Sequence, residues 1–227
     1  MSTTNPDDEI DYLPPADTGL DLVHADDDIV VVVKPAGLLS VPGRGAERAD
    51  CMASRVQARF ADALIVHRLD MATSGLLAFG RGPEVQRLLS IAFAGRDVRK
   101  RYEAVVHGLV QPEQGEIDLP LITDWPRLPR QMVCFERGKP SLTRFRVIER
   151  NALRSTTRLS LEPVTGRSHQ LRVHLMALGH PIVGDPLYGP DVAGVLGAER
   201  LMLHAAELGL RHPRSGLDQS WVSPVPF

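Results

Sequence analysis

The run Ile29-Val30-Val31-Val32-Val33 narrows most what this chain can fold into. Five successive β-branched residues are stiff and favour extended backbone. A strand with one wet face alternates apolar and polar side chains, so an unbroken run predicts a strand buried on both faces. Asp26-Asp27-Asp28 reads as the turn that enters it, and Lys34-Pro35-Ala36-Gly37 ends it. Two further apolar runs, residues 64–66 (LIV) and 76–79 (LLAF), predict strands, yet His67, Arg68 and Asp70 lie between them, with Thr73, Ser74 and Gly75 close behind. Residues 51–62 predict a short helix. Residues 83–95 predict a longer one, with Val85, Leu88, Leu89, Ala92 and Phe93 at helical spacing, Pro83 at its start and Gly95 at its end. Strands are expected at 102–107, at 141–150 paired with 156–166, and near the C-terminus. A helix capped by Ser168 and closed by Gly179 is expected to bury Leu171, His174, Leu175 and Leu178. Many strands with a few interspersed helices define an α+β domain with a mixed sheet.

A chain of 227 residues with 43% apolar and 24% charged residues has room for one sizeable domain, or at most two small ones. The apolar run at 29–33 is far too short to cross a membrane. The N-terminus shows neither the basic start nor the apolar core of a secretion signal, so a cytoplasmic protein is expected. Cys51 and Cys134 make no disulfide framework, and nothing near them has zinc-ligand spacing. The net charge of −2 hides an asymmetry. Residues 1–28 hold nine of the 28 acids and no Lys or Arg, leaving 26 basic residues against 19 acids in the rest. Residues 1–18, acidic and proline-containing, are read as a disordered leader, and the modestly basic body is compatible with an RNA partner.

Four places carry the residue types of chemistry. Asp70, at a strand end between apolar runs, needs a cationic or hydrogen-bonding partner to stay ionised. Taken alone, Arg68-Leu69-Asp70 is equally a structural ion pair holding a loop. Residues 164–174 (VTGRSHQLRVH) place a helix N-terminus beside Arg167 and Arg172, the setting of an anion site or of ordinary capping. His169 and His174 are five apart, not the four that stack two ligands on one helical face, which argues against a metal. Arg96, Arg99, Lys100 and Arg101 cluster beside Tyr102, a combination suited to phosphates and a base, or to a solvated turn. Residues 124–140 form a long irregular segment with Trp125, Arg127, Arg130, Arg137 and Lys139, read as an RNA-contacting loop or a proline-rich connection.

These pieces occur together and in order. The stretch HRLDMATSGLLAF resembles the catalytic motif of the pseudouridine synthases of the ribosomal large-subunit type, the RluA family. KRYEAVVHG resembles that family's second motif, PVTGRSHQLRVHLMALGHPIVGDPLYG its third, and LMLHA the short motif that follows. LSVPGR, LPLITDWPRLPRQ and GKP resemble the compact A-type branch, which acts on 23S rRNA and on tRNA anticodon stem-loops. The resemblance spans residues 25–225. It implies a mixed, largely antiparallel central sheet flanked by helices and loops, and a single catalytic domain over residues 19–227. It also implies structured RNA as partner, with no obligatory protein partner, no cofactor and no metal. Asp70 matches the essential aspartate, Tyr102 the tyrosine packed against the target base, and Arg172 the basic residue that pairs with the aspartate. Arg68 matches the side chain that enters the RNA stack, and Leu203 an apolar residue lining the pocket. His67, Arg167, Lys100 and Arg101 are expected to contact substrate.

The chemistry fits this residue set. Pseudouridylation breaks the C1′–N1 bond, turns the uracil and joins C1′ to C5, releasing only the C5 proton. A hydrolytic glycosidase needs two carboxylates, because water must be activated and the leaving group protonated. Here the leaving group is retained and one carboxylate suffices. Two routes are open to Asp70: attack at C1′, or removal of a ribose proton through a glycal. The rival readings are a hydrolase that pairs Asp70 with Glu103 or Asp185, and an RNA-binding module without catalysis.

Overall fold

The computed structural model describes residues 12–189 and 198–227. Residues 1–11, most of the expected leader, lie outside the described residues, as do 190–197. Within 12–18 the backbone is irregular, and the Pro15 carbonyl accepts a hydrogen bond from Arg55 Nη2 at 2.6 Å. The chain divides into two compact units, one of Leu13–Tyr102 with Leu203–Phe227 and one containing Glu103–Met202.

The first unit holds β1 (Leu22–Ala25), β2 (Ile29–Lys34), α1 (Met52–Gln57), β3 (Ala63–Ile65), β4 (Ser74–Arg81), α2 (Gly82–Gly95), β11 (Leu203–Arg211) and β12 (Asp218–Val222). Its strands lie in the order β1-β2-β4-β11, with β3 also on β4 and β12 also on β11. β4 and β11 run parallel, and the β1–β2, β2–β4, β3–β4 and β11–β12 pairs are antiparallel. The run at 29–33 is the centre of this unit, as its composition requires. Val30 and Val32, with Leu77 and Phe79 of β4, pack on Met52, Ala53 and Val56 of α1. Ile29 and Val31, with Leu76 and Ala78, pack on Val85 and Leu89 of α2. Alternate side chains thus meet helices on opposite faces, each burial contributing about 1.5–3 kcal/mol. Asp26 makes the entering turn, its Oδ1 accepting the N–H groups of Asp28 at 2.8 Å and Ile29 at 2.7 Å.

The second unit holds β6 (Gln114–Asp118), β7 (Leu121–Thr123), β8 (Gln131–Val133), β9 (Leu142–Asn151), β10 (Thr156–Pro163) and α3 (Gln170–Ala177). β9 pairs antiparallel with both β10 and β6, and β7 with β8. Leu159 and Leu161 of β10 are buried, as their alternation predicts. β5 (Arg99–His107) begins in the first unit and ends in the second. It starts earlier than the predicted 102, so Arg99, Lys100 and Arg101 lie on a strand, while Arg96 is the C-cap of α2.

α3 departs from expectation at its start. His169, not Ser168, occupies the N-cap position, with φ +53° and no capping side chain. The Gln170 side chain instead ties the segment before the helix to the start of β9. Its Oε1 accepts from Thr165 Oγ1 at 2.6 Å and from the Arg167 N–H at 3.1 Å, while its Nε2 donates to Leu142 O and Thr143 Oγ1. At the far end Leu178 is exposed rather than buried.

Gly75 sits where β4 meets β11. Its φ is +117°, and a Cβ there would lie 2.4 Å from the Ala205 carbonyl oxygen and 2.5 Å from the Ala205 nitrogen. Gly75→Ala is expected to destabilise the protein by at least about 2 kcal/mol, read as a lower urea midpoint at unchanged slope.

Candidate active site

Asp70 is half-buried in the loop between β3 and β4, and the backbone on both sides of it is tied down. On one side, Ser40 Oγ donates to the Leu69 carbonyl at 2.7 Å and accepts the Leu69 N–H at 3.1 Å. On the other, the Met71 carbonyl accepts the Gly37 N–H at 2.9 Å and Lys34 Nζ at 3.0 Å. Lys34 is fully buried, and its ammonium donates also to the carbonyls of Pro35 at 2.8 Å and Leu38 at 2.7 Å. A buried ammonium survives only where oxygens replace its water, and here two come from the turn after β2 and the third from the Asp70 loop. The Thr73 N–H closes a turn on the Asp70 carbonyl, and Ser74 Oγ is hydrogen-bonded to His204 Nδ1 at 2.7 Å, whose Nε2 meets Ser223 Oγ at 3.0 Å.

Tyr102 of β5 packs against the α1-side core of this unit. Burial, and then the Asp70 carboxylate, push its phenol above the usual range, so it stays protonated. Arg68 is exposed and Leu203 is buried at the start of β11.

His67, Lys100 and Arg101, each expected to contact substrate, lie within the first unit. The His67 ring stacks on Phe93 at 4.2 Å between centroids, and its Nε2 accepts the Ala78 N–H at 3.0 Å. Burial, and then the Lys100 charge, push His67 down to about 3, so it is a neutral acceptor that fixes the loop to β4. Lys100 is half-buried, and its ammonium is lowered from the usual lysine range by burial and then by Arg96. Arg101 is engaged by Glu207 of β11 at 3.1 Å rather than standing in a solvated turn.

In the second unit Arg172 is buried on α3. Its Nε and Nη2 donate side-on to Asp185 Oδ2 at 2.8 Å and Oδ1 at 2.7 Å. Removing either partner alone would strand a buried charge at a cost of about 3–5 kcal/mol. Of the two carboxylates the hydrolase reading would use, Asp185 is wholly enclosed and bound to a guanidinium, and Glu103 lies 3.6 Å from Arg158. Arg167 is exposed, with Nε 3.4 Å from the Pro140 carbonyl. His174 is a core histidine, held by Thr143 Oγ1 at 2.9 Å and the Leu119 carbonyl at 3.0 Å. Among the described residues no group of three or more His, Cys, Asp or Glu is arranged to hold a metal ion, and no helix is long and apolar enough to cross a membrane.

Sequence reasoning missed Lys34, Ser40 and the pairing of Asp185 with Arg172. Lys34 had a signal, since it falls on the same strand face as Val30 and Val32, where a charge must find partners. Asp185 had a weaker one, an Asp-Pro turn. Ser40 had none, because its partner lies 29 residues away.

The site thus offers a half-buried carboxylate on an anchored loop, with a buried tyrosine close enough to feel its charge. The model of the RNA pseudouridylate synthase family matches residues 28–177, and the chain belongs to that family; it is an isomerase acting on RNA uridines. The chain is 50% identical over 214 residues to the dual-specificity RNA pseudouridine synthase RluA of Pasteurella multocida, covering 94% of this chain and 95% of the relative. The enzyme of the same name from Escherichia coli K12 is 47% identical over 216 residues, 95% and 98% of the two chains. Among solved structures, human RNA pseudouridylate synthase domain containing 1 superposes with a TM-score of 0.78 at 30% identity, covering 95% of this chain and 87% of that one.

The low value at His67 fixes a pH dependence. Between about pH 6.5 and about 3 the unfolded chain binds a proton at His67 that the folded chain excludes, so stability falls as pH drops through that window. From pH 7 to pH 5 the wild type should lose about 1–2 kcal/mol more unfolding free energy than His67→Gln, which keeps an acceptor for Ala78 but does not titrate. Urea titrations at the two pH values check this.

Proposed function

We propose that this protein isomerises a loop uridine of 23S rRNA and a uridine of the tRNA anticodon stem-loop. The reading rests on the near full-length similarity to relatives named as dual-specificity enzymes and on the A-type stretches around residues 39–44, 119–131 and 138–140. It works in the cytoplasm, where such RNAs are modified. Residues 19–227 form its catalytic domain, supported by a family match that runs through both units.

The observation that carries the site is Asp70, flanked by two anchored peptide groups and adjoining Tyr102. Asp70 acts on the ribose of the target, at C1′ or through a glycal, and the retained uracil turns and rejoins through C5. Tyr102 offers the base a flat face and a protonated hydroxyl. The uridine must leave its stack to arrive, at a cost of a few kcal/mol. Exposed, planar Arg68 offsets part of that cost by stacking in the vacated space. Leu203 lines the base pocket, and Arg167 holds backbone phosphate. Arg172 takes the role of the aspartate's basic partner, as the resemblance implies. His67, Lys100 and Arg101 add further substrate contacts, as the resemblance implies.

Tritium release from C5-labelled uridine in 23S rRNA and tRNA transcripts tests the assignment. Asp70→Ala should abolish release on both RNAs while changing the RNA dissociation constant by less than about threefold. Normal turnover by the variant overturns the role of Asp70, and activity on only one RNA overturns the dual specificity.

A further inference from the structure

The second unit contains a hydrogen-bonded chain that the reaction as described does not use. Besides both contacts to Arg172, Asp185 Oδ1 accepts the backbone N–H groups of Leu187 at 2.9 Å and Tyr188 at 3.1 Å. The carboxylate is therefore itself locked in orientation. Tyr188 is buried, and its ring lies under the Arg172 guanidinium, 5.1 Å from centroid to Cζ. Its hydroxyl accepts the Gln131 N–H of β8 at 2.7 Å and lies 2.7 Å from His169 Nδ1. The hydroxyl thus joins the backbone of β8 to the His169 ring. His169 is the residue held at φ +53° where α3 opens, three positions before Arg172. A non-glycine residue in that region is strained and is retained only where its surroundings over-determine it.

A carboxylate beside Arg172 would seem to oppose its task, because a guanidinium already neutralised attracts a second anion less. What Asp185 supplies is direction. Arginine has a long, flexible side chain, and its planar fork acts in one orientation. A side-on carboxylate fixes the plane through Nε and Nη2, and a ring face beneath it fixes the tilt. Positioning of this kind counts in catalysis because small misalignments of a charged group cost large factors in rate.

We propose that Asp185 and Tyr188 are positioning residues for the isomerisation. Together they aim the Arg172 guanidinium, and Tyr188 is set in turn by His169 and by the backbone of β8. The proposal rests on the reading of Arg172 as the partner of the catalytic aspartate.

The test is single-turnover tritium release at saturating anticodon stem-loop RNA with the full chain, in the wild type and in an Arg172→Lys background. Lysine keeps the charge but has no fork to be aimed. Asp185→Asn should slow release by about tenfold to a hundredfold and Tyr188→Phe by about threefold to tenfold, with the RNA dissociation constant changed by less than about twofold. In the Arg172→Lys background both losses should shrink to less than about twofold, because a residue acting only through the fork has nothing left to act on. Equal losses in the two backgrounds, losses confined to RNA affinity, or no loss at all overturn the proposal. If Asp185→Asn no longer shows a thermal unfolding transition, Tyr188→Phe, which removes a single oxygen, decides by the same criteria. Asp70→Ala run alongside separates the two ideas. An Asp70-independent reaction sinks the catalytic reading itself, whereas an Asp70-dependent one with equal losses in both backgrounds sinks only the positioning role.

Discussion

The backbone clamp on the Asp70 loop is the constraint on which the catalytic reading depends. A carboxylate proposed to act on one atom of a ribose has to be held to a fraction of an ångström, and a loop between two strands has no ladder of its own to do this. The chain solves the problem with groups from a distant turn: Ser40 ties both polar groups of the Leu69 peptide unit, and Lys34 and Gly37 converge on the Met71 carbonyl. The buried ammonium is the unusual member. Solvating it with three carbonyls offsets much of its desolvation cost, and one of those bonds, to Met71, ties the Asp70 loop to the end of β2.

That clamp in turn depends on β2 and β4. Lys34 is the last residue of β2, and the loop ends where β4 begins, so the two strands carry opposite sides of the clamp. Their antiparallel register sets Lys34 opposite Gly75 and Val33 opposite Leu76. With helices packed on both faces of this strand pair, the register is over-determined, since a slip of one residue would carry every side chain to the other face.

The second unit shows the same strategy with a charge rather than a backbone. Arg172 could not be buried on α3 without an anion, and Asp185 supplies one from the turn that follows the helix. Gln170 and His174 on the same helix are likewise spent on fixed partners, Gln170 on Thr165 and Leu142 and His174 on Thr143 and Leu119. α3 is thus a helix whose polar residues face inward, which explains why an amphipathic reading placed Leu178 on the buried face and the cap at Ser168.

What the sequence determined by itself is what local pattern encodes. An unbroken β-branched run requires two covered faces, the spacing from Val85 to Phe93 requires a helix, and four ordered motifs around Asp70, Tyr102, Arg172 and Leu203 point to one chemistry. What only the tertiary structure decided is which polar atoms meet. His67 is a neutral acceptor stacked on Phe93, Arg101 is engaged by Glu207 across 106 positions of chain, and Asp185 is a clamp for Arg172 rather than a second acid. The reason is physical. Burial of apolar side chains is non-directional and leaves a periodic trace along the chain, whereas a hydrogen bond or ion pair is directional, and its partner is chosen by the approach of segments far apart in sequence.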